Sequence, residues 1–490
     1  MTGKRNFYNV VITGLALFAM FFGAGNLIYP VFIGVQAGSV TVPAALGFMT
    51  TGVLLPLLAM VAAATSETGI LGISERIGHW PGFAFCLMAF LSTGVLFAIP
   101  RVATVSFEMS AGAFVSDGSK QMSLLVYTII FFAITGALSM NPSTLIEKIG
   151  GWLTPALLIL LIVLVSAAFA KLAPVNHAPV APYDHAPVVN GLLSGYNTLD
   201  AIASFVFGVI IITSLKQRGY KRGKSLFRAT ALSGVVAGVI LGLVYFGLSQ
   251  LGLRMGNVKS ENGGETLSKA AALLFGNTGT VVLAAIAILA CLTTAVGLTG
   301  ASTAFFSGLF PKVPRQALIL IHMIVSLGVA NLGLTLLLKV VIPIMYLCYP
   351  VTIGIVICCL LDIFIPGHMY WTYRGSVWIA ALFGLIDAIA AAGVEASWFK
   401  AIVDVVPLAH YSLGWLIPTL IGGVIGFIVD HHQGRLVEHF DYDLMARERN
   451  RGLVEAGIAG TLEDVEEEQA ADAAEAAAEA GKPAPEAADK

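Results

Sequence analysis

Apolar stretches of about 20 residues, the length a helix needs to cross a bilayer, recur almost end to end along this 490-residue chain. They fall at roughly 9–35, 41–64, 81–106, 121–140, 150–171, 194–215, 226–251, 279–308, 314–334, 338–361, 375–397 and 409–430. The pattern predicts an all-α polytopic membrane protein of about twelve transmembrane helices, with both termini on one side. The third stretch is long for a single span if it runs on to Glu108. Within the first stretch, residues 17–30 read LFAMFFGAGNLIYP, which places Gly-X-Gly-Asn in the middle of an apolar run. A lipid-facing helix avoids such residues, and backbone groups freed in hydrocarbon must be buried in protein or line a wet cavity. The segment therefore predicts a helix broken at depth, and with it a binding site near the bilayer midplane.

Composition agrees: 57% of residues are hydrophobic, 11% are charged, and the mean hydropathy is +0.86. The net charge of -2 carries no message and no basic face suggests nucleic acid. Cys86, Cys291, Cys348, Cys358 and Cys359 all sit in apolar runs without metal or disulfide spacing and read as packing residues. No protein partner is evident. The N-terminus leads straight into a span without a cleavage site, so no removable signal peptide is expected. Fourteen Lys and Arg fall in the connections on the side of the termini, six of them between Lys216 and Arg228, against seven on the other side. That excess places both termini in the cytoplasm. Ala173 to Pro187 is Pro-rich and reads as an extended outer connection. From about Glu438, and above all beyond Thr461, the chain is acidic and Ala/Glu-rich, and is expected to remain a solvated tail without a core.

The eighth stretch contains Ala290-Cys-Leu-Thr293-Thr294. A carbonyl at position i and hydroxyls at i+3 and i+4 converge on one helical face, and three neutral oxygens suit a hard cation such as Na⁺. The competing reading is that both hydroxyls bond back to carbonyls one turn earlier. Ionisable residues at membrane depth are functional candidates. Arg101 and Glu108, seven apart on one face, form a possible polar path or gate at the outer end of span three; Asp200 lies early in span six; Asp387 in span eleven reads as structural. There is no Cys-X-X-Cys, zincin helix, nucleophile elbow or phosphate-binding loop, so the chain is not expected to be an enzyme or an ATP-driven pump.

The run FFGAGNLIYP, followed by LGFMTTGVLLPLLAMVA, AIPRVATVSFE and GYNTLDAIASFVFG in that order, resembles the bacterial branched-chain amino acid:cation symporter family, over nearly all of residues 5–435. The resemblance implies the leucine-transporter fold. That fold has two inverted five-helix repeats, here about 9–171 and 194–361, with helices one and six broken and two further helices at about 375–430. It implies uptake of leucine, isoleucine and valine, with Na⁺ or alternatively H⁺ as coupling ion, through the inner membrane of a bacterial cell.

On that reading the backbone of Ala24, Gly25 and Asn26 takes the substrate carboxylate at the start of a new helix. Unwound backbone at Ser204 to Gly208 supplies carbonyls to the ammonium group, and Phe205 and Phe207 supply an apolar slot. Ala19 and Phe22 join Ala290, Thr293 and Thr294 around Na⁺. Asp200, beside the ammonium site, is a gate partner or, in a proton-coupled carrier, the titrating group. The alternatives are a permease for another apolar or aromatic amino acid, and a membrane sensor that transports nothing.

Overall fold

A computed structural model describes residues 3–66, 70–115, 117–140, 149–220, 224–260, 262–332, 334–365, 367–394 and 405–437, and no strand occurs among them. The acidic tail from Glu438 lies outside the described residues, as do Lys148, Lys221, Arg222 and Lys400 of the loop charges. Among the described residues, nine stretches are long and apolar enough to cross a membrane. They are accompanied by the shorter apolar helices Phe7–Phe21, Arg315–Ala330 and Leu416–His432. The five cysteines are buried and free, as their apolar settings predicted.

The first apolar stretch is two helices, α1 (Gly3–Phe21) and α2 (Ala24–Ala37). The second is α3 (Thr41–Met49), a π-turn over Thr50–Leu54, and α4 (Leu55–Ala63), followed by the short α5 (Ile70–Glu75). The third is also two helices, α6 (His79–Thr93) and α7 (Ala98–Met109), which accounts for its excess length. Then come α8 (Lys120–Ser139) and α9 (Thr154–Lys171). The sixth stretch divides into α10 (Pro187–Tyr196) and α11 (Asp200–Gln217). The remainder is α12 (Lys224–Arg254), the short helix α13 (Gly263–Phe275), α14 (Asn277–Leu309), α15 (Arg315–Ala330), α16 (Leu334–Asp362), α17 (Tyr370–Ala391) and α18 (Leu416–His432).

Small residues let the broken helices lie close to their neighbours, as helix pairs in lipid require. Helix α2 packs on α12, where Gly34 faces the Ser249 carbonyl and Gly252 faces the Val31 carbonyl. Helix α10 packs on α3 in the same manner, Gly47 against the Val188 carbonyl and Gly191 against the Ala44 carbonyl. The other halves of these two broken helices, α1 and α11, lie against α12 and α4 respectively. Spans one, two, six and seven thus form one bundle around the breaks.

The Pro-rich connection is non-helical from Leu172 to Val180 and is pinned to the end of α2: Ser39 N donates to His177 O (3.0 Å) and Val180 N to Gln36 O (2.8 Å). At the opposite end of the molecule, Arg76 pairs with Asp362 and donates to Tyr373 Oη at 2.6 Å, while Trp378 Nε1 donates to Ile77 O at 3.0 Å. These bonds fasten the connection after α5 to α16 and α17. Asp430 of α18 caps α17 from outside, accepting from the Trp371 and Thr372 N–H groups at 2.9 Å each. On the periphery, Ile129, Ile130 and Ile134 of α8, Ile159 and Ile162 of α9, Val239 and Leu243 of α12, and Leu420 and Val424 of α18 are exposed. Together they form an outward apolar surface, the composition expected of a lipid-facing belt.

Candidate functional site

The first break lies where its glycines place it. Gly23 stands between α1 and α2 in extended conformation (φ -109°, ψ -160°), with its N–H on Phe21 O at 2.8 Å. Ala24, Gly25 and Asn26 open α2, so their N–H groups have no partner within the helix and mark its positive end. Gly23 also permits a close approach: a Cβ there would stand 2.9 Å from Thr294 Oγ1 of α14.

The break in span six lies upstream of its expected position. Ser204 to Gly208 are helical within α11, and the interruption covers Asn197 to Leu199. The physical reason is local. AIASFV contains no glycine or proline to interrupt a buried helix, whereas Thr198 turns its hydroxyl onto Gly195 O (2.8 Å) and the N–H of Asp200 turns back to Thr198 Oγ1 (3.4 Å). Asp200 is then the first residue of α11, where the helix dipole favours an acid. Leu199 takes a left-handed conformation (φ 69°), a strain of about 1 to 3 kcal/mol of the kind concentrated at functional sites.

A third break, absent from the expectations, separates α6 from α7 over Gly94–Phe97. Gly94 lies against Phe90 O and, from α14, Ser302 Oγ, leaving no room for a side chain. Pro100 sits in the first turn of α7, where a missing N–H is harmless. Gly94 and Pro100 were the available signals.

Thr93, Ala98, Arg101 and Val102 of span three, Met20, Phe21, Gly23 and Asn26 of span one, Thr198, Leu199, Asp200, Ala203 and Phe207 of span six, and Thr294 and Leu298 of span eight line a small, tightly closed chamber. The first break and that of span six open onto it, and Thr93 and Ala98 bring the residues flanking the third to its wall. Of the residues expected in span six, Phe207 lines the chamber, its ring 5.3 Å from that of Phe21. Ser204, Phe205 and Gly208 do not: Ser204 Oγ donates to Asp200 O (2.7 Å), Phe205 meets Phe85, and Gly208 faces Ala63.

The residues grouped for a cation come together. Thr293 Oγ1 donates to Ala19 O at 2.9 Å across the spans, and also reaches Ala290 O and Leu289 O at 3.0 Å one turn earlier. Thr294 Oγ1 lies 3.3 Å from the same Ala19 O. The back-bonded arrangement and the convergence of spans one and eight therefore coexist. Phe22, the first residue after α1, lies beside them, its N–H on Phe18 O and its ring between those of Phe18 and Tyr245.

Asn26 Nδ2 donates to Asp200 Oδ2 at 2.5 Å and to the hydroxyl of Tyr245, a fully buried residue of α12 that no sequence motif marked. Removing that hydroxyl leaves a buried amide N–H short of an acceptor, at a cost of about 1 to 3 kcal/mol. Tyr245→Phe is therefore expected to lower the melting temperature and weaken ligand binding together; an unchanged melting temperature would mean that the contact carries no energy.

Arg101 donates to Asn197 O (2.9 Å) and Thr198 O (3.4 Å), with its guanidinium 5.0 Å from the Phe97 ring centroid. It borders the chamber on one side. On the other it borders a wider vestibule lined by Tyr29, Phe32, Glu108, Lys120, Asn262 and Glu265 among others. Glu108 is exposed in that vestibule and makes no ion pair with Arg101. Asp387 lies in α17, on none of these walls.

Residues 6–433 match the family described as "Branched-chain amino acid transport protein". The chain belongs to that family. It is 38% identical to the branched-chain amino acid permease BrnQ of Corynebacterium glutamicum over 86% of this chain and 95% of that one. The BrnQ permease of Bacillus subtilis is 37% identical (88% and 98%), and the branched-chain amino acid transport system 2 carrier protein of Pseudomonas aeruginosa 37% (89% and 99%). Among solved structures, the fold is that of Mhp1, a nucleobase-cation-symport-1 family transporter. A closed form with bromovinylhydantoin bound superposes with TM-score 0.53 at 13% identity, covering 91% of this chain and 96% of that one. An inward-facing form of Mhp1 gives 0.52 at 15% identity. This is a family of multi-pass membrane transport proteins, not of enzymes.

Proposed function

We propose that this member of the branched-chain amino acid transport family is a secondary symporter that carries leucine, isoleucine and valine into the cell with Na⁺. It sits in the inner membrane with both termini cytoplasmic, and residues 1–435 form the carrier. Spans one to five and six to ten are read as inverted repeats, with α17 and α18 outside them. The observation that carries the ion assignment is the meeting of Thr293 and Thr294 with the Ala19 carbonyl beside the first break. With Ala290 O and the Phe22 carbonyl, these oxygens are neutral and hard, the donor set that suits Na⁺ as a co-transported substrate.

Beside that set, the unpaired N–H groups at the start of α2 suit a carboxylate. Met20, Phe21, Ala203, Phe207 and Leu298 give the side chain an apolar lining without a polar partner. Each buried methylene then contributes about 0.8 kcal/mol. Since a one-methylene difference is worth only about 1 to 3 kcal/mol, the site accepts all three branched substrates. Na⁺ drives accumulation only through unequal affinity for the outward- and inward-open states.

A proton-coupled version of the same carrier is the second reading, favoured by the carboxylate of Asp200 on the chamber wall. Uptake of labelled leucine into proteoliposomes under an imposed Na⁺ gradient, a proton gradient or neither separates the two. Accumulation is expected with Na⁺ and is expected to fall at least tenfold in Thr294→Ala; accumulation with protons alone would replace Na⁺ by H⁺ and turn attention to Asp200.

A further inference from the structure

We propose that Arg101 and Asp200 are the two charged poles that recognise the substrate as a zwitterion, the guanidinium receiving its carboxylate and the Asp200 carboxylate its ammonium group. The proposal rests on the amino acid reading above and deepens it: Arg101 becomes a binding residue and not only a gate.

Arg101 and Asp200 are 7% and 4% exposed, and both face the same chamber. Among the described residues neither forms an ion pair with the other or with any third group. Buried charges without a charged partner are strongly unfavourable unless something pairs with them, and both charges border one volume. A zwitterion placed between them pairs both at once. The two poles are also built differently.

Around Arg101, two features favour an anion. Of its five N–H donors, two are spent on Asn197 O and Thr198 O, which fix the plane of the guanidinium, and Nε has no hydrogen-bond partner. Nη2 lies beside Gly25, 3.1 Å from where a Cβ would stand there. The guanidinium is therefore next to the open N–H groups at the start of α2, and two independent sources of positive potential meet at one point.

Around Asp200, the carboxylate is oriented by Asn26, which Tyr245 holds from behind. The chamber wall at Leu199 and Thr198 adds polar backbone from the break in span six. One positive and one negative pole give the chamber no net charge, which fits a neutral amino acid. An amine or a carboxylic acid of the same shape would leave one pole unpaired. Sites built to bond a polar group reject analogues that lack it far more strongly than apolar pockets reject a missing methylene.

The test is competition against labelled leucine with three ligands of one side-chain shape: leucine, leucinamide, which lacks the anionic carboxylate, and 4-methylpentanoate, which lacks the ammonium group. Wild-type protein in proteoliposomes is expected to prefer leucine over each analogue by roughly 100-fold or more. Arg101→Gln is expected to bring the leucine-to-leucinamide ratio to within a few-fold of unity while keeping the preference over 4-methylpentanoate. Asp200→Asn is expected to do the reverse, and Arg101→Lys to recover part of the first preference. Equal weakening of all three ligands in each variant, with both ratios unchanged, would make the two residues structural and overturn the proposal. Wild-type protein that binds leucinamide as well as leucine would overturn it without any variant. Failure of the wild type to bind leucine at all would instead refute the amino acid reading on which the proposal stands.

Discussion

Gly23→Ala is expected to cut leucine uptake about 100-fold while leaving the protein folded. The backbone at Gly23 is extended, which alanine adopts freely, so no conformational strain is introduced. The obstacle is the position of the added methyl, 2.9 Å from Thr294 Oγ1 and 3.2 Å from Thr294 Cγ2. Something must move by several tenths of an ångström, and both partners belong to the site. Either the start of α2 withdraws, shifting the N–H groups of Ala24 to Asn26, or Thr294 withdraws from Ala19 O. Misplacing a binding group by about 1 Å costs on the order of 100-fold in rate. Initial uptake rates and a melting curve on the same preparation check this. A near-normal melting temperature with uptake lost is the expected pair, and normal uptake would show that the chamber adjusts freely at the first break.

The second large effect is on stability. In Gly34→Ala the new methyl falls on the Ser249 carbonyl and within 3 Å of the Leu253 N and Gly252 Cα positions. These are backbone atoms of a 31-residue helix and have no rotamer to change. Overpacking of this kind costs about 1 to 3 kcal/mol, and more where only a helix shift relieves it. The predicted result is a large drop in the melting temperature in detergent, or loss of monodisperse protein. Gly328→Ala is the matched control, because nothing lies within 4 Å of the added methyl in α15. Removing a helix-interior glycine there is expected to stabilise by about 0.5 to 1 kcal/mol. Equal melting temperatures for the two variants would show that the α2–α12 contact is loose.

The first break was legible because glycine and asparagine are out of place in lipid, and the hydropathy pattern located most spans to within a few residues, with ends of the sixth, eleventh and twelfth displaced by five to seven. Hydropathy is also what concealed the rest. A helix interrupted between Gly94 and Phe97 stays as apolar as an unbroken one, so span three showed only its excess length. The break in span six carries no glycine at its strained residue. Leu199 is held left-handed by surrounding structure, and only the Thr-X-Asp spacing after Asn197 hinted at a new helix start. The threonine pair of span eight was readable from local spacing, although its contact with Ala19 crosses 274 positions. Tyr245 was unreadable in principle from one sequence. Its partner lies 219 positions away, and nothing around it differs from an ordinary aromatic in an apolar helix.

The outward row of isoleucine, valine and leucine on α8, α9, α12 and α18 separates two properties that are often treated as one. Resistance to unfolding resides in the buried glycine crossings and polar contacts, whereas dispersal in a test tube is decided by what coats that row. Better-packed variants will therefore melt later and still clump when their detergent is diluted away. A screen for well-behaved preparations should vary the amphiphile before it varies the core.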